Sequence, residues 1–391
     1  MKVDKSKWAE TAFAEIATSQ LGKTLDANKN KGLPYPYLCA ANIGMGYFNL
    51  SNVKEILLDD SELEKYLVRK GDLLICEGGD TGRCAIWESE DPIYYQNALH
   101  RVRFNDDIHN KFIMYYLHYY KKVGIIDKLS HGQTIKHFTQ KGLSKLSFRM
   151  PTISEQKGIA SELDAIQAMI DGYNAQLHDL DELIKSIFND TFGEPISNPK
   201  GWDVDILENI VSDDCPITYG IVQPGDDVNE GIPVVRPVDL IGTYVNKTFL
   251  KKVSPEISDS YKRTILKGNE ILICVRGTTG VVSFATEDMK GCNVTRGIVP
   301  LSFIRHNKWF MYWCIKSYEM NNLIQKYTKG ATLKQINIKD LRQLPFPTPP
   351  LELQEKFGKQ AELIETQRAL LNQQIYDARN LMAERMQYYF S

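Results

Sequence analysis

Between Pro151 and Phe192 the apolar residues fall at Ile159, Leu163, Ile166, Ile170, Tyr173, Leu177, Leu180, Ile184 and Ile187. Their spacing is mostly four and three residues in turn, which is a heptad seam rather than the wider stripe of an ordinary surface helix. Thr152 and Glu155 stand just ahead of it as a T-x-x-E capping box. A second seam follows Pro347, Pro349 and Pro350, with Phe357, Ala361, Ile364, Leu371, Ile375, Ala378, Met382 and Tyr389. Arg368 and Arg385 interrupt it, so the facing helix must satisfy two guanidinium groups. Two long helices are predicted, and each needs a partner for its apolar face. The nearest partner is the other helix, and an antiparallel coiled coil would place a globular domain at either end, related by a pseudo-twofold axis.

Outside the seams the period changes. Short β-rich runs (LLIC, ILICV, VVSFA, PLSFI) are broken by Gly/Thr turns, and two stretches, HNKFIMYYLHYYKK and NKWFMYWCIKSYEMNNLIQKY, read as helices. The aromatic residues in those helices fit a packing stripe better than base-stacking platforms. The fold class expected is α+β, in two copies, because the chain repeats itself. LLICEGGDTG (73–82) matches ILICVRGTTG (271–280) at an offset of 198. The same offset holds for Gly132/Gly330, Thr134/Thr332, Lys136/Lys334, Pro151/Pro349, Gln156/Gln354, Gln176/Gln374, Leu183/Leu381 and Phe192/Phe390. The start of each unit (Trp8, Trp202) is offset by 194, so the drift is four residues over the whole repeat. The expected organisation is a globular domain at 1–150, a long helix at 151–193, a second domain at 194–348 and a second long helix at 349–391.

Charge sharpens this picture. The formal net charge of −2 conceals two basic blocks. Residues 94–150 hold ten Lys/Arg against three Asp/Glu, and residues 244–345 hold seventeen against seven, nets of +7 and +10. Residues 151–195 and 196–243 each hold two against nine, a net of −7. Two separate basic stretches suit phosphate binding at two places. No apolar run approaches the length of a membrane span or forms a signal-peptide core. Seven cysteines without a C-x-x-C pair favour reduced thiols in the cytoplasm over disulfides or zinc.

Catalytic signals are weak throughout. A relaxed P-loop pattern at Ala17–Thr24 (ATSQLGKT) has a helix-like run before it and a polar loop after it, the reverse of a phosphate cradle. Glu155-Gln156-Lys157 has the letters of a nuclease motif but opens a helix whose cap already uses Glu155. Nothing resembles an adenine methyltransferase site, a loop for S-adenosylmethionine or a nucleophile elbow. Cys76 and Cys274 fall in matched apolar runs and read as small buried hydrophobes. No catalytic residue, metal or cofactor is expected.

In their order the repeated motifs resemble the specificity subunits of type I restriction-modification systems. The carriers are Trp8 and Trp202, then Pro36–Ile43 and GIPVVRPVDL (231–240), then the glycine turns at 71–82 and 268–280. G-x-T-x-K follows at 132–136 and 330–334, then P-x-x-x-E-Q from Pro151, reduced in the second copy to Pro349 with Leu353-Gln354. The resemblance covers nearly the whole chain. It implies a non-catalytic chain with two target-recognition domains reading a bipartite double-stranded DNA site. It also implies two methylation subunits docked on the helices and restriction subunits joining them, so that methyl transfer and cleavage belong to the partners.

Base readout needs Arg or Lys for guanine and Asn or Gln for adenine, with hydroxyls and backbone amides for phosphates. The candidates in the first domain are His100, Arg101, Arg103, Gln133, Thr134, Lys136 and His137. In the second they are Thr218, Tyr219, Gln223, Arg236, Arg276, Thr278, Thr279, Arg296, Thr332, Lys334 and Gln335. Glu77-Gly78 stand where Val275-Arg276 stand, so an asymmetric target is expected. Two other readings stay open on the residues alone: a stand-alone, dimer-like DNA-binding regulator, and an enzyme with a degenerate nuclease centre.

Overall fold

The computed structural model describes residues 3–26, 30–132, 136–330 and 333–391. It divides into two compact units, Met1–Asn174 with Asn372–Ser391, and Ala175–Leu371. Each contains one globular domain and a stretch of both long helices.

In the first unit the run Leu73–Cys76 is buried at every position, which requires cover on both faces of the strand. It lies between Cys84–Ile86 and Leu99–Phe104, antiparallel to each, and Ala17–Leu21 extends the sheet beyond Leu99–Phe104. Leu73 and Ile75 point into a core with the helix Asn110–Lys122, while Leu74 and Cys76 point into another with Leu38, Val68 and Tyr95. That second core is closed by a four-stranded sheet in the order Lys54–Leu58, Leu33–Leu38, Ile93–Tyr95, Leu67–Val68. The second unit repeats the scheme. Ile271–Cys274 lies between Val282–Phe284 and Ile298–Leu301, with Ile271 and Ile273 in one core and Leu272 and Cys274 in the other. Both domains are closed by a strand pair joining their two ends, Ala9–Ala12 with Ser147–Met150 and Val204–Ile206 with Pro345–Pro347. The aromatic residues of Asn110–Lys122 and Lys308–Lys316 are largely core: Phe112, Tyr115, Tyr116, Trp309, Phe310, Tyr312 and Trp313 are all buried.

The long helices run Ile153–Phe192 and Leu351–Phe390, 40 residues each. Thr152 caps the first as its spacing predicts, its hydroxyl and amide both meeting Glu155 Oε2 at 2.9 and 3.1 Å. The glutamine of the repeated motif turns out to be a clamp. Gln156 is buried, donates to Pro151 O at 3.0 Å and accepts from His109 N at 2.9 Å. Gln354 makes the same pair of bonds, to Pro349 O at 2.8 Å and from Asn307 N at 3.0 Å.

In the first unit Ile159 and Leu163 share a core with Met386, Tyr389 and Phe390, and Ile166 and Ile170 pack on Ala378 and Met382. In the second, Ile184, Phe188 and Phe192 share a core with Phe357, Ala361 and Ile364. The rising numbers of one helix meet falling numbers of the other, so the pairing inside each unit is antiparallel. Both interrupting arginines find carboxylates on the facing helix, Arg385 with Glu162 at 2.6 Å and Arg368 with Asp181. The seam is less even than its sequence suggests, because Tyr173, Leu177 and Leu180 are only half-buried. No helix among the described residues is long and apolar enough to cross a membrane.

The P-loop-like segment is otherwise employed. Ala17–Leu21 is a strand, and Lys23 at its end forms an ion pair with Glu62. Cys76 is buried, and burial pushes its thiol up to about 11, as expected of an inert hydrophobe.

Candidate nucleic-acid interface

In the second unit four turns converge at the end of the strand Ile271–Cys274. Cys274 faces Ile298, and the antiparallel register continues one step beyond the strands, where Val275 N donates to Gly297 O at 2.8 Å. Beyond it the chain turns, Ile298 N donating to Thr295 O at 2.9 Å, so that Arg296 sits in this turn and Arg276 one residue past Val275. Arg276 is also bridged to Gln335, and Gly277 N donates to Lys334 O at 2.8 Å, which brings in the G-x-T-x-K turn. The fourth turn holds Tyr219. Its neighbour Gly220 is pressed so close to the 293–295 backbone that a Cβ there would lie 2.1 Å from Val294 O, so only glycine fits. Ile221 N then donates to Val294 O at 2.8 Å and Arg296 N to Ile221 O at 2.7 Å.

The side chains follow from this frame. Tyr219 Oη accepts from Gln335 Nε2 at 3.0 Å and from Ile338 N at 3.3 Å, which fixes the ring. The Arg296 guanidinium lies 5.8 Å over that ring. The Nε atoms of Arg276 and Arg296 are both buried without a hydrogen-bond partner. Lys334 and Thr278 are exposed beside them.

The first unit has the same frame with other side chains. Cys76 faces Leu99, Glu77 N donates to Ala98 O at 2.9 Å, and Leu99 N donates to Gln96 O at 3.0 Å, so that Asn97 sits in the turn as Arg296 does and Gly78 follows Glu77 as Arg276 follows Val275. Gly78 is bridged to His137, as Arg276 is to Gln335. Gly22 takes the place of Gly220, with a would-be Cβ 2.4 Å from the carbonyls of Tyr95 and Gln96. Lys136, His137 and Asn97 are exposed there, and burial raises the Glu77 carboxyl above its ordinary range.

Several residues expected to read DNA are committed elsewhere. His100 is fully buried, its Nε2 2.8 Å from Phe138 O. Arg101 is buried against the Tyr95 ring and donates to the carbonyls of Lys65 and Leu67 and to Gln20 Oε1. Arg103 makes a two-pronged ion pair with the buried Asp72 at 2.7 and 3.0 Å. The hydrogen bonds of all three go to the domain's own backbone and side chains. Thr279 is buried and tied to Thr328 Oγ1 at 3.1 Å and to Gln325, so it anchors its turn to the helix Tyr318–Tyr327. Arg236 closes on Asp239 at 2.7 and 3.0 Å, its charge matched. Thr218 borders a cavity shared with Lys262 and Arg263, and Gln223 is exposed on the next turn. Gln133, Thr134 and Thr332 lie outside the described residues. Asn97 escaped the sequence reading, although Gln96-Asn97 aligns with Thr295-Arg296 once one more residue of drift is allowed.

The profile of the type I restriction modification DNA specificity domain matches residues 5–180 and 219–377. The chain belongs to this family, the DNA-sequence-recognition proteins of type I restriction-modification systems. Its relatives include the type I restriction enzyme EcoBI specificity subunit of Escherichia coli. That protein is 27% identical over 325 residues, 76% of this chain and 68% of the relative. The type I restriction enzyme MjaIX specificity subunit of Methanocaldococcus jannaschii is 22% identical over 314 residues, 74% of this chain and 69% of that one. Two solved structures share the fold. One is the S subunit of a type I restriction-modification system from M. genitalium, with a TM-score of 0.59 and 15% identity over 100% of this chain and 98% of that one. The other is a chain from a study of complex assembly and conformational transition of the type I R-M system. Its TM-score is 0.60 with 16% identity, over 98% of this chain and 97% of that one. Specificity subunits recognise DNA sequence, are themselves non-catalytic, and work with methylation and restriction subunits.

Proposed function

We propose that each unit reads one half of a bipartite, asymmetric double-stranded DNA site through its converging turns, and that the long helices carry two methylation subunits. Restriction subunits join that complex. Adenine N6 methylation and DNA cleavage are performed by the partners, in the cytoplasm, where seven unpaired cysteines are stable as thiols. One observation carries this reading: the same backbone frame occurs twice with different side chains at four matched positions. Arg276, Arg296, Gln335 and Tyr219 in one unit answer to Gly78, Asn97, His137 and Leu21 in the other. A repeated frame with unlike side chains is what two different half-sites require, and Lys136 and Lys334 supply each with a phosphate contact. Docking is supported by apolar side chains that the helix pairing leaves exposed, Met169, Leu381 and Tyr388 in the first unit and Leu183, Leu363 and Leu370 in the second.

The test is an exchange of residues 196–345 for the equivalent region of another specificity subunit, read by methylome sequencing. One half of the methylated site changes and the other stays. If both halves or neither change, the two units do not read independently. Native mass spectrometry of the co-expressed complex gives one copy of this chain to two methylation subunits. A lone monomer, with methylation indifferent to it, removes the docking part of the proposal.

A further inference from the structure

Nine arginines among the described residues are buried or half-buried. Seven of them hold a carboxylate or a carbonyl: Arg83, Arg101, Arg103, Arg236, Arg342, Arg368 and Arg385. The other two are Arg276 and Arg296, whose Nε atoms are shielded from water without an acceptor. A half-buried guanidinium without an acceptor is costly. Arg296 sits in the turn closed by Ile298 N donating to Thr295 O at 2.9 Å, and Arg276 follows Val275, whose N donates to Gly297 O in that same turn, so both arginines belong to the converging turns. The Tyr219 ring beside Arg296 supplies no such acceptor, and among the described residues neither Nε meets one, so the pair is suited to a ligand that brings acceptors.

Resting on the reading that each unit recognises one half-site, we infer that Arg276 and Arg296 recognise guanine, so the half-site of the second unit contains a G·C pair read by these two side chains. The guanidinium fork matches the O6/N7 pair of guanine in the major groove. Arg296 is positioned for that role by the Tyr219 ring 5.8 Å away, which Gln335 and the Ile338 amide hold in place. The matched positions in the first unit are Gly78 and Asn97. That half-site lacks an arginine contact there and is read by an exposed amide, whose bidentate partner is adenine.

Methionine substitutions, R276M and R296M, keep the aliphatic stem and remove the charges. In the complex with the methylation subunits, each variant loses about 5- to 150-fold of discrimination at one G·C position of the second half-site. The first half-site keeps its letters, which shows that the complex is folded, and N97A relaxes one A·T position of the first half-site alone. Because no internal hydrogen bond or ion pair is lost, the melting temperature of the complex without DNA is unchanged in R276M and falls little in R296M, which gives up only the Tyr219 contact. A second half-site with no G·C pair in the native protein overturns the inference. So does a uniform weakening at all sequences with a flatter salt dependence, which marks phosphate contacts, or a lowered melting temperature with unchanged specificity, which marks a structural role. The layers separate cleanly. If exchanging residues 196–345 alters the second half-site while the methionine variants do not, the arginine assignment alone falls. If the exchange alters nothing, the two-domain reading itself is wrong.

Discussion

Replacing Gln354 by alanine tests how the second long helix is tied to its recognition domain. Gln354 is 1% exposed, and its amide links Pro349 O (2.8 Å), just before the helix, to Asn307 N (3.0 Å). Asn307 in turn caps the helix Lys308–Lys316 by accepting from Trp309 N at 2.9 Å. The alanine variant loses two hydrogen bonds worth about 1 kcal/mol each, and strands a donor and an acceptor at a further cost of roughly 1–3 kcal/mol each where water does not enter. Partial hydration of the gap brings the expected loss to about 2–4 kcal/mol. The readout is hydrogen exchange in the complex with the methylation subunits, at the backbone amides of 307–316, whose protection falls by the corresponding factor. Gln354→Met keeps most of the volume, so it separates the hydrogen bonds from the packing and retains most of the loss. Gln156→Ala repeats the experiment in the first unit, where Pro151 O and His109 N are the partners, and gives a similar loss. A change below about 0.5 kcal/mol, or full rescue by methionine, refutes the clamp.

Lys334→Ala weakens DNA binding at all sequences alike and reduces the slope of log affinity against log salt by about 0.9; relaxation of a single base position instead makes it a base reader. His118 sits 3.2 Å from Cys84 O, and burial holds it down to about 4, against an ordinary 6.5. Its depressed folded value means the unfolded chain takes the proton first. Its contribution is whole above about pH 6.5 and is lost as pH falls toward 4, by at most about 3 kcal/mol. His118→Gln flattens urea stability between pH 7 and 4.5, and an unchanged slope in the variant assigns the pH dependence elsewhere.

The periodicity of the chain determines its architecture, because a heptad seam can be buried only against another and a duplicated sequence folds twice. The helices, the capping by Thr152, the core placement of the aromatic stripes and the need of Arg368 and Arg385 for partners on the facing helix are all written in local spacing. The matched glutamines could be seen as a repeat, but their clamp could not, since Asn307 lies far along the chain from Gln354. The recognition surface was legible only in part, for the same reason. Arg101 and Arg103 look like DNA-binding residues in a basic stretch, yet Asp72, Gln20 and the carbonyls of Lys65 and Leu67 already occupy their donors. Sequence shows that an arginine has donors, and only the folded chain shows whether they are taken. The placing of Asn97 and Arg296 in matched turns depends on the antiparallel register of the strands that follow them, in which a one-residue slip would turn every side chain to the opposite face. Leu73–Cys76 and Ile271–Cys274 are buried on both faces, so no alternation of polar and apolar residues marks their register in the sequence, and only the layers packed on either side fix it.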